Sequence, residues 1–470
     1  MVENQTNIFE LLYPTFKITK PIRLITLFSG YDSQALALKY LGVDFEHYKT
    51  CEWAVKSIQA LKDLHFEEDT KGYSKDLETS QIKEFLFNKG ISSNYNEPMN
   101  MAQINRLNDK QTRTIYNNIK ATHNLVNIQQ VKGNDLEIID KDKYTYIMTY
   151  SFPCQDLSLA GNRKGMSDTS TRSGMLWEVE RILTECEEKP QILLMENVPQ
   201  VHGEGNKEDF NKWQFRLEEL GYKNYWQDLI ATDYEIPQTR NRCFMVSILG
   251  DYNYTFPKPI PLKLKLKDML EDNVDEKYYL SDKQISDIQT WNAYEKPLEN
   301  MEKTDQKNIS PTLTTRSGAY AAGMILVKNA TKKGYLEATD GDGVDISSRM
   351  EHHRGTVQKG KIQTLTTQNN LGVCIGTYQY AKSDTFMQGK DRLQLGKEVS
   401  DTLQTSQKEG IVNGNLRIRK LTPKECFRLM GVKDEDYEKI AKNQSDSSLY
   451  HLAGDSIIVN VLMAIFKEMI

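Results

Sequence analysis

The stretch IRLITLFSGYDSQALALKYLG (Ile22–Gly42) contains a strand, a turn and a helix in close succession. Ile22 to Phe28 is an apolar run, Ser29-Gly30-Tyr31-Asp32-Ser33 is small and polar, and the following residues have helical spacing up to Gly42. A strand that runs through a glycine turn into a helix is the opening unit of an open α/β sheet. The free N–H groups of such a turn suit a carboxylate or phosphate, although a plain βα connection has the same appearance. The next strand, Phe45 to Cys51, ends in Glu52-Trp53. An acidic residue roughly 20 positions beyond the glycine turn is placed for a pair of ribose hydroxyls, with an aromatic beside it to stack on a base. Read singly, the same two residues are a surface Glu and a core Trp.

Further along, the predicted strand Tyr146–Tyr150 leads into Ser151-Phe152-Pro153-Cys154, and the sequence then turns polar and small. Cys154 therefore sits on a loop at the carboxyl end of a strand, where open α/β sheets bind ligands. Such a loop can hold a thiolate, the nucleophilic form of cysteine; a buried structural thiol fits the stretch equally well. PQILLMENVPQV is a second buried strand, whose carboxyl end presents Glu196-Asn197 to the same cleft. Burial there would keep a carboxyl protonated and able to donate. Between IATDY and CFMVSIL lies QTRNR, with Gln238, Arg240 and Arg242; two arginines at alternate positions of an extended segment share a side. They suit a carboxyl partner and a phosphate, or form an ordinary surface ion pair. Asp135, beside Leu136 and ahead of the Cys154 strand, can accept a hydrogen bond from an adenine amino group.

The totals set bounds. A chain of 470 residues exceeds one ordinary core, so two domains or one enlarged domain is expected. With no continuous apolar span and no basic-then-apolar start, a soluble, cytoplasmic protein with no membrane partner is expected. The six cysteines (Cys51, Cys154, Cys186, Cys243, Cys374, Cys426) form no CxxC pair, and no histidine stands at ligand spacing, so neither a disulfide framework nor a metal site is expected. The balance of 60 Lys+Arg against 65 Asp+Glu is mildly acidic, yet a local basic groove is enough for nucleic acid. Residues 1–20 form an arm, and 57–130 a polar helical insertion around the loop SSNYNEPMNMAQ. After Asp251 the βα alternation stops, and Lys-, Pro- and loop-rich sequence predicts a second domain of short strands over 251–453. It repeats a Thr-rich phrase in SPTLTTR (310–316), IQTLTTQ (362–368) and SDTLQTS (400–406), at strand-like alternation, with hydroxyls that could meet phosphates or base edges.

In order along the chain, LFSG, FPCQDLS, MENV, QTRNR, RKLTPKECFRLMG and GDSIIVNVL together resemble the DNA cytosine 5-methyltransferases. The resemblance implies a Rossmann-like S-adenosylmethionine-dependent α/β domain (21–250 with 454–470) and a smaller, mostly β and loop target-recognition domain. It makes Cys154 the nucleophile, Glu196 its acid, and Arg240 and Arg242 their supports. S-adenosylmethionine, leaving as S-adenosylhomocysteine, would be bound by Phe28, Gly30, Tyr31, Asp32, Ser33, Glu52, Trp53, Asp135, Leu136, Pro153, Asp455, Ser456 and Asn460. Double-stranded DNA would be met by Gln155, Ser158, Asn197, Gln238, Arg163, Arg172, Thr314 and Arg316. Three residues depart from the family pattern: Asp32 replaces a second glycine, where its carboxylate could face the cofactor's ammonium; Asp455 replaces an asparagine; Phe152 replaces a smaller residue or proline. The transfer RNA branch of the family has the same catalytic residues, but the long region between QTRNR and RKLTP favours DNA. Amino-group methyltransferases carry an Asp-Pro-Pro-Tyr-like loop, which Pro153-Cys154 is not; a non-catalytic relative would not need Cys154, Glu196, Arg240 and Arg242 intact. A monomer is expected, with a separately encoded restriction endonuclease as a conceivable companion.

Overall fold

The structure, a computed structural model, describes residues 13–153, 173–281, 325–329, 335–346, 356–367, 371–378 and 414–470. It divides into two compact units, one of residues 1–271, 363–369 and 422–470, the other of 272–362 and 370–421.

The first unit is built on a six-stranded sheet. Its strands are β1 (Ile22–Leu27), β2 (Phe45–Cys51), β3 (Thr145–Tyr150), β4 (Ile192–Asn197), β5 (Tyr222–Ile230) and β6 (Asn241–Leu249), in the order β2-β1-β3-β4-β6-β5. The first four strands in that order are parallel; β6 runs antiparallel to β4 and to β5. β3 and β4 are buried along their whole length, the reason their sequences are continuous apolar runs without alternation. Helices α6 (Leu176–Glu185) and α7 (Lys207–Glu219) add Val179, Ile182, Phe210, Trp213 and Leu217 to the core beneath β3 and β4. Because β6 is reversed, its beginning lies at the same rim as the ends of β1 to β4. Asn241 and Arg242 thus reach a rim that the other strands approach with their last residues.

The first turn holds three residues at positive φ: Phe28 (58°), Gly30 (57°) and Asp32 (64°). Glycine takes this conformation freely, whereas Phe28 and Asp32 need surrounding contacts to hold them there. For Asp32 those contacts are visible, and they correct the sequence expectation. Its carboxylate is fully buried and accepts from Ala35 N at 3.0 Å as the cap of α1 (Ser33–Tyr40), from Thr26 Oγ1 at 2.8 Å, and faces His47 Nε2 at 2.6 Å. It is turned into the fold and does not face an ammonium group. Burial opposes its ionisation, but His47, aided by His65 and the Ala35 N–H, outweighs this and holds the carboxyl below its usual range. Asp32→Ala should therefore cost about 3 kcal/mol of stability, read as a lower urea midpoint, by removing a cap and a charged hydrogen-bond partner. A group with a depressed folded pKa stabilises above its unfolded value and loses that contribution as the pH falls, so the deficit should shrink in acid.

Between β2 and β3 the insertion folds as α2 (Val55–His65), α3 (Thr79–Lys89), α4 (Met101–Asn105) and α5 (Asp109–Ala121) around Ile58, Ile82, Leu86, Ile104, Ile115 and Ile119. It is fastened to β2 by Asn124, whose Oδ1 accepts from Glu52 N at 3.0 Å and whose Nδ2 donates to Glu52 O at 2.9 Å. The loop 92–100 is stitched beside it, with Ser92 N donating to Trp53 O at 2.8 Å.

The second unit has a four-stranded antiparallel sheet, in the order Val357–Gln358, Gly343–Asp345, Leu371–Tyr378, Gly414–Lys420, and a two-stranded one, Ile325–Lys328 with Tyr335–Ala338. Short strands are thus observed, but two boundaries differ from the sequence reading. The helices Pro423–Arg428, Asp434–Ala441 and Asp446–Asp455 belong to the first unit, where Phe427, Leu429, Ile440 and Leu452 are buried and Asp436 bonds Lys39 Nζ at 2.7 Å and Tyr40 Oη at 2.8 Å. The phrase IQTLTTQ forms a single bridge position at Ile362 and no strand over 363–367; residues 363–369 join the first unit. The other two Thr-rich phrases lie outside the described residues.

Candidate active site

The carboxyl ends of β1 to β4 and the start of β6 bring most of the singled-out residues of the first unit to one rim. Glu196, next to last in β4, is 7% exposed, and its Oε1 lies 3.1 Å from Arg242 Nε. Burial raises the Glu196 carboxyl above its usual pKa, and the charges of Arg242 and Arg240 pull it back only in part. A carboxyl in that balance can hold a proton and give it up at the rim.

Arg240 works differently from Arg242. Its guanidinium donates to Gly454 O at 3.1 Å, Ser456 O at 2.7 Å and Leu365 O at 3.3 Å. It therefore ties the segment 454–456 to the rim, and its planar fork matches the task as a lysine would not. Gln238 is fully buried, its Nε2 donating to Leu429 O at 2.9 Å and its Oε1 accepting from Leu365 N at 3.1 Å. Both ends of its amide, expected from sequence to meet DNA, are engaged inside the unit. Leu365 and Leu429 were not singled out from sequence, because the contacts they make use backbone atoms.

Asn197 is engaged in the same way. It is 2% exposed, with Nδ2 donating to Phe152 O at 3.0 Å and Oδ1 accepting from Val198 N at 2.8 Å. Its side chain thus holds the backbone two residues ahead of Cys154. Asn197→Ala should lower kcat about 100-fold with cofactor affinity unchanged, because a misplacement of about 1 Å at a reacting group has that effect. Single-turnover kinetics beside cofactor calorimetry would separate the two. Cys154 itself, with Gln155, Ser158, Arg163, Arg172, Thr314 and Arg316, lies outside the described residues; Pro153 is the last one described before that loop.

On the β1 and β2 side, Glu52 is 9% exposed and accepts from Gly30 N at 2.9 Å and Ala54 N at 2.7 Å. Burial pushes its carboxyl up to about 7 against those two donors. An added Cβ on Gly30 would meet nothing within 4 Å, so open space adjoins the turn. Phe28 is partly buried against the core under the rim, and Trp53 packs on the core of the insertion. Asp135 is exposed, its Oδ2 capping Lys132 N at 2.8 Å, next to the buried Leu136. Tyr31 and Ser33 are buried, Tyr31 Oη donating to Ser456 Oγ at 2.9 Å and Ser33 Oγ bonding Gln34. Like that of Asp32, their side chains are bonded within the fold, which leaves the backbone of the turn as the part that could face a cofactor. Asp455 is exposed and paired with His451 Nε2 at 3.1 Å. Asn460 packs against Gly431, where an added Cβ would come within 2.4 Å of its Oδ1; that glycine, at φ 79°, is the one that ends the RKLTPKECFRLMG helix.

The rim thus offers a buried acid held by an arginine, a loop braced by an asparagine, and beside them a carboxylate next to open space. A sequence profile described as C-5 cytosine-specific DNA methylase matches residues 101–470. The type II methyltransferase M2.ScrFI of Lactococcus lactis subsp. cremoris is 30% identical over 453 residues, covering 95% of this chain and 99% of that one. The orphan methyltransferase M.SssI of Spiroplasma monobiae is 36% identical over 350 residues, covering 73% and 83%. Among solved structures, the Entamoeba histolytica methyltransferase EhMeth superposes with a TM-score of 0.51 at 12% identity over 96% of this chain and 98% of that one, a likeness of fold.

Proposed function

The chain belongs to the C-5 cytosine-specific DNA methylase family, and from that premise we propose that it methylates carbon 5 of a flipped-out cytosine in a short duplex DNA site, through a covalent adduct on Cys154. It is a DNA cytosine-5-methyltransferase, and the family implies S-adenosylmethionine as methyl donor. The observation that carries the mechanism is Glu196, buried and held at 3.1 Å by Arg242 beside the strand that leads to Cys154.

Carbon 5 of cytosine is a weak nucleophile. The Cys154 thiolate adds to carbon 6, forming a C–S bond, while Glu196 gives its proton or a hydrogen bond to ring nitrogen 3, and electron density moves to carbon 5. S-adenosylmethionine, when bound, supplies the electrophilic methyl group that carbon 5 receives. A base then takes the carbon 5 proton, whose C–H electrons re-form the 5–6 double bond as the C–S electrons return to sulfur, and nitrogen 3 gives back to Glu196 any proton it received. Carbon 6 is covered by neighbouring bases in a duplex, so the cytosine is first extruded, at a cost of a few kcal/mol offset by contacts in the pocket.

The residues present fit the cofactor. Glu52, a buried carboxylate beside the open space at Gly30, would suit a ribose diol; Phe28 and Trp53 would take the adenine ring, Asp135 its amino group, and Asp455, Ser456 and Asn460 the methionine part. Each Glu52 oxygen keeps a lone pair beyond its backbone donor. Glu52→Ala should therefore weaken S-adenosylhomocysteine binding about 10- to 100-fold, the usual cost of a charged hydrogen bond. Because the acceptor is the carboxylate, affinity by calorimetry should fall as the pH drops below about 7 in the native protein and stay flat in Glu52→Ala.

Relatives that are type II and orphan methyltransferases of bacteria, a spiroplasma and Bacillus phages support a cytoplasmic enzyme acting on bacterial or phage DNA; the proposal adds that it works as a monomer, with any cognate endonuclease encoded separately. The test is incubation with unmethylated genomic DNA and S-adenosylmethionine, read by base-resolution methylation sequencing. A short recurring site methylated by the native chain and not by Cys154→Ala is the expected result. Methylation of RNA and none of DNA would overturn the choice of substrate.

A further inference from the structure

On the face of the sheet opposite Glu196 and Arg242, three side chains from separate elements meet. Cys243 of β6 stands directly across from Asp228 of β5 and Asn197 of β4, so these three share one face, whereas Arg242 and Phe244 share the other with Glu196. His202, from the turn Pro199–His202 after β4, brings Nε2 to 2.9 Å from Asp228 Oδ1 and 3.1 Å from Oδ2. One donor atom of each of His202, Asp228 and Cys243 lies within 4.8 Å of the other two. Trp226 stacks on the His202 ring at 4.6 Å and meets Phe210 edge-on at 5.5 Å, which fixes the plane of the imidazole.

We propose that His202, Asp228 and Cys243 form a binding site for a zinc-class divalent transition-metal ion, with water in a fourth position. Sulfur, imidazole nitrogen and one carboxylate oxygen are the donor set that tetrahedral zinc and cobalt prefer, and sulfur with nitrogen disfavours magnesium and calcium. The thiol is fully buried while His202 and Asp228 are partly exposed, so an ion can enter from the side of the nitrogen and oxygen and settle on the sulfur. Their present spacing, with His202 already against Asp228, needs only the loss of the bridging hydrogen for both atoms to face one ion. On binding, the Cys243 S–H bond is replaced by sulfur–metal and its proton leaves to solvent; the proton on His202 Nε2 moves to Nδ1, so one proton is released per ion. Among the described residues no other three His, Cys, Asp or Glu side chains converge in this way. The site is independent of the methylation chemistry, since it lies on the other face of the strands that carry Glu196 and Arg242.

The test uses the full-length chain carrying Cys154→Ala, so that the proposed nucleophile cannot take the ion. Titration with Co²⁺ should give one ion per chain, a thiolate-to-cobalt charge-transfer band, the visible bands of a tetrahedral site and one released proton, and Zn²⁺ should bleach the colour. Adding Cys243→Ala should abolish the charge-transfer band, and adding Asp228→Asn, which retains the side-chain shape should the cysteine variant fail to fold, should weaken uptake by about tenfold or more. Failure of the folded protein to bind Co²⁺, or a band and affinity unchanged in the folded variants, would overturn the site.

Discussion

Cys154→Ala should abolish methyl transfer, lowering kcat by roughly 10⁴-fold or more, while S-adenosylhomocysteine and duplex DNA still bind. The size of the loss follows from the chemistry. Without the bond from sulfur to carbon 6, carbon 5 keeps its aromatic electron distribution, and no amount of positioning makes it attack a methyl group. Substituting Ala removes only one sulfur atom, so binding of both ligands is the control that separates a dead nucleophile from a broken fold. A second measurement makes the same bond visible. In duplex DNA carrying 5-fluorocytosine, the last step needs fluorine to leave carbon 5 as a cation, which it cannot do. The native chain should then remain joined to DNA as a band of increased mass on a denaturing gel, and Cys154→Ala should give none. Turnover by the alanine variant, or no trapped complex with the native chain, would remove Cys154 from the mechanism.

Glu196→Gln should lower kcat by about 10²- to 10⁴-fold, the range for removal of a positioned acid, again with little change in binding. The amide keeps the shape and one hydrogen-bond donor, but it has no proton to give to nitrogen 3. The pH profile supplies a sharper test. Activity should be lost as the pH rises and the raised Glu196 carboxyl finally ionises. Arg242 stabilises the ionised form, so its removal must raise that pKa further. Arg242→Gln should thus move the alkaline limb of kcat to higher pH even as the maximum falls. A limb that stays in place would mean that another group sets it.

How much of this was legible in the sequence depended on whether a side chain's partner was another short motif or a distant backbone. IRLITLF, TYIMTY and ILLMEN are apolar without alternation because strands buried on both faces need nothing else, and their loops follow directly. Glu196 and Arg242 were visible for a related reason: both lie at strand ends of one rim. The inward bonds of Gln238, Asn197, Tyr31 and Asp32 were not legible, because a polar residue in a loop beside a site looks the same whether its side chain faces a ligand or the fold. Only the structure shows Asn197 bonded to Phe152 O and Asp32 to His47. The domain boundary at 453 failed because helices rich in charge still bury Phe427, Ile440 and Leu452. The trio of His202, Asp228 and Cys243 could not be seen by spacing, since its residues come from three elements and meet through strand register.

The three carbonyls that receive the Arg240 guanidinium belong to Leu365, Gly454 and Ser456, all made long after Arg240 itself. A chain ending before residue 454 would therefore keep the six strands of the sheet and Glu196, but its Arg240 guanidinium would lack two of these three carbonyls. The last turns of the polypeptide are in this sense a structural part of a rim whose strands all lie within the first 250 residues.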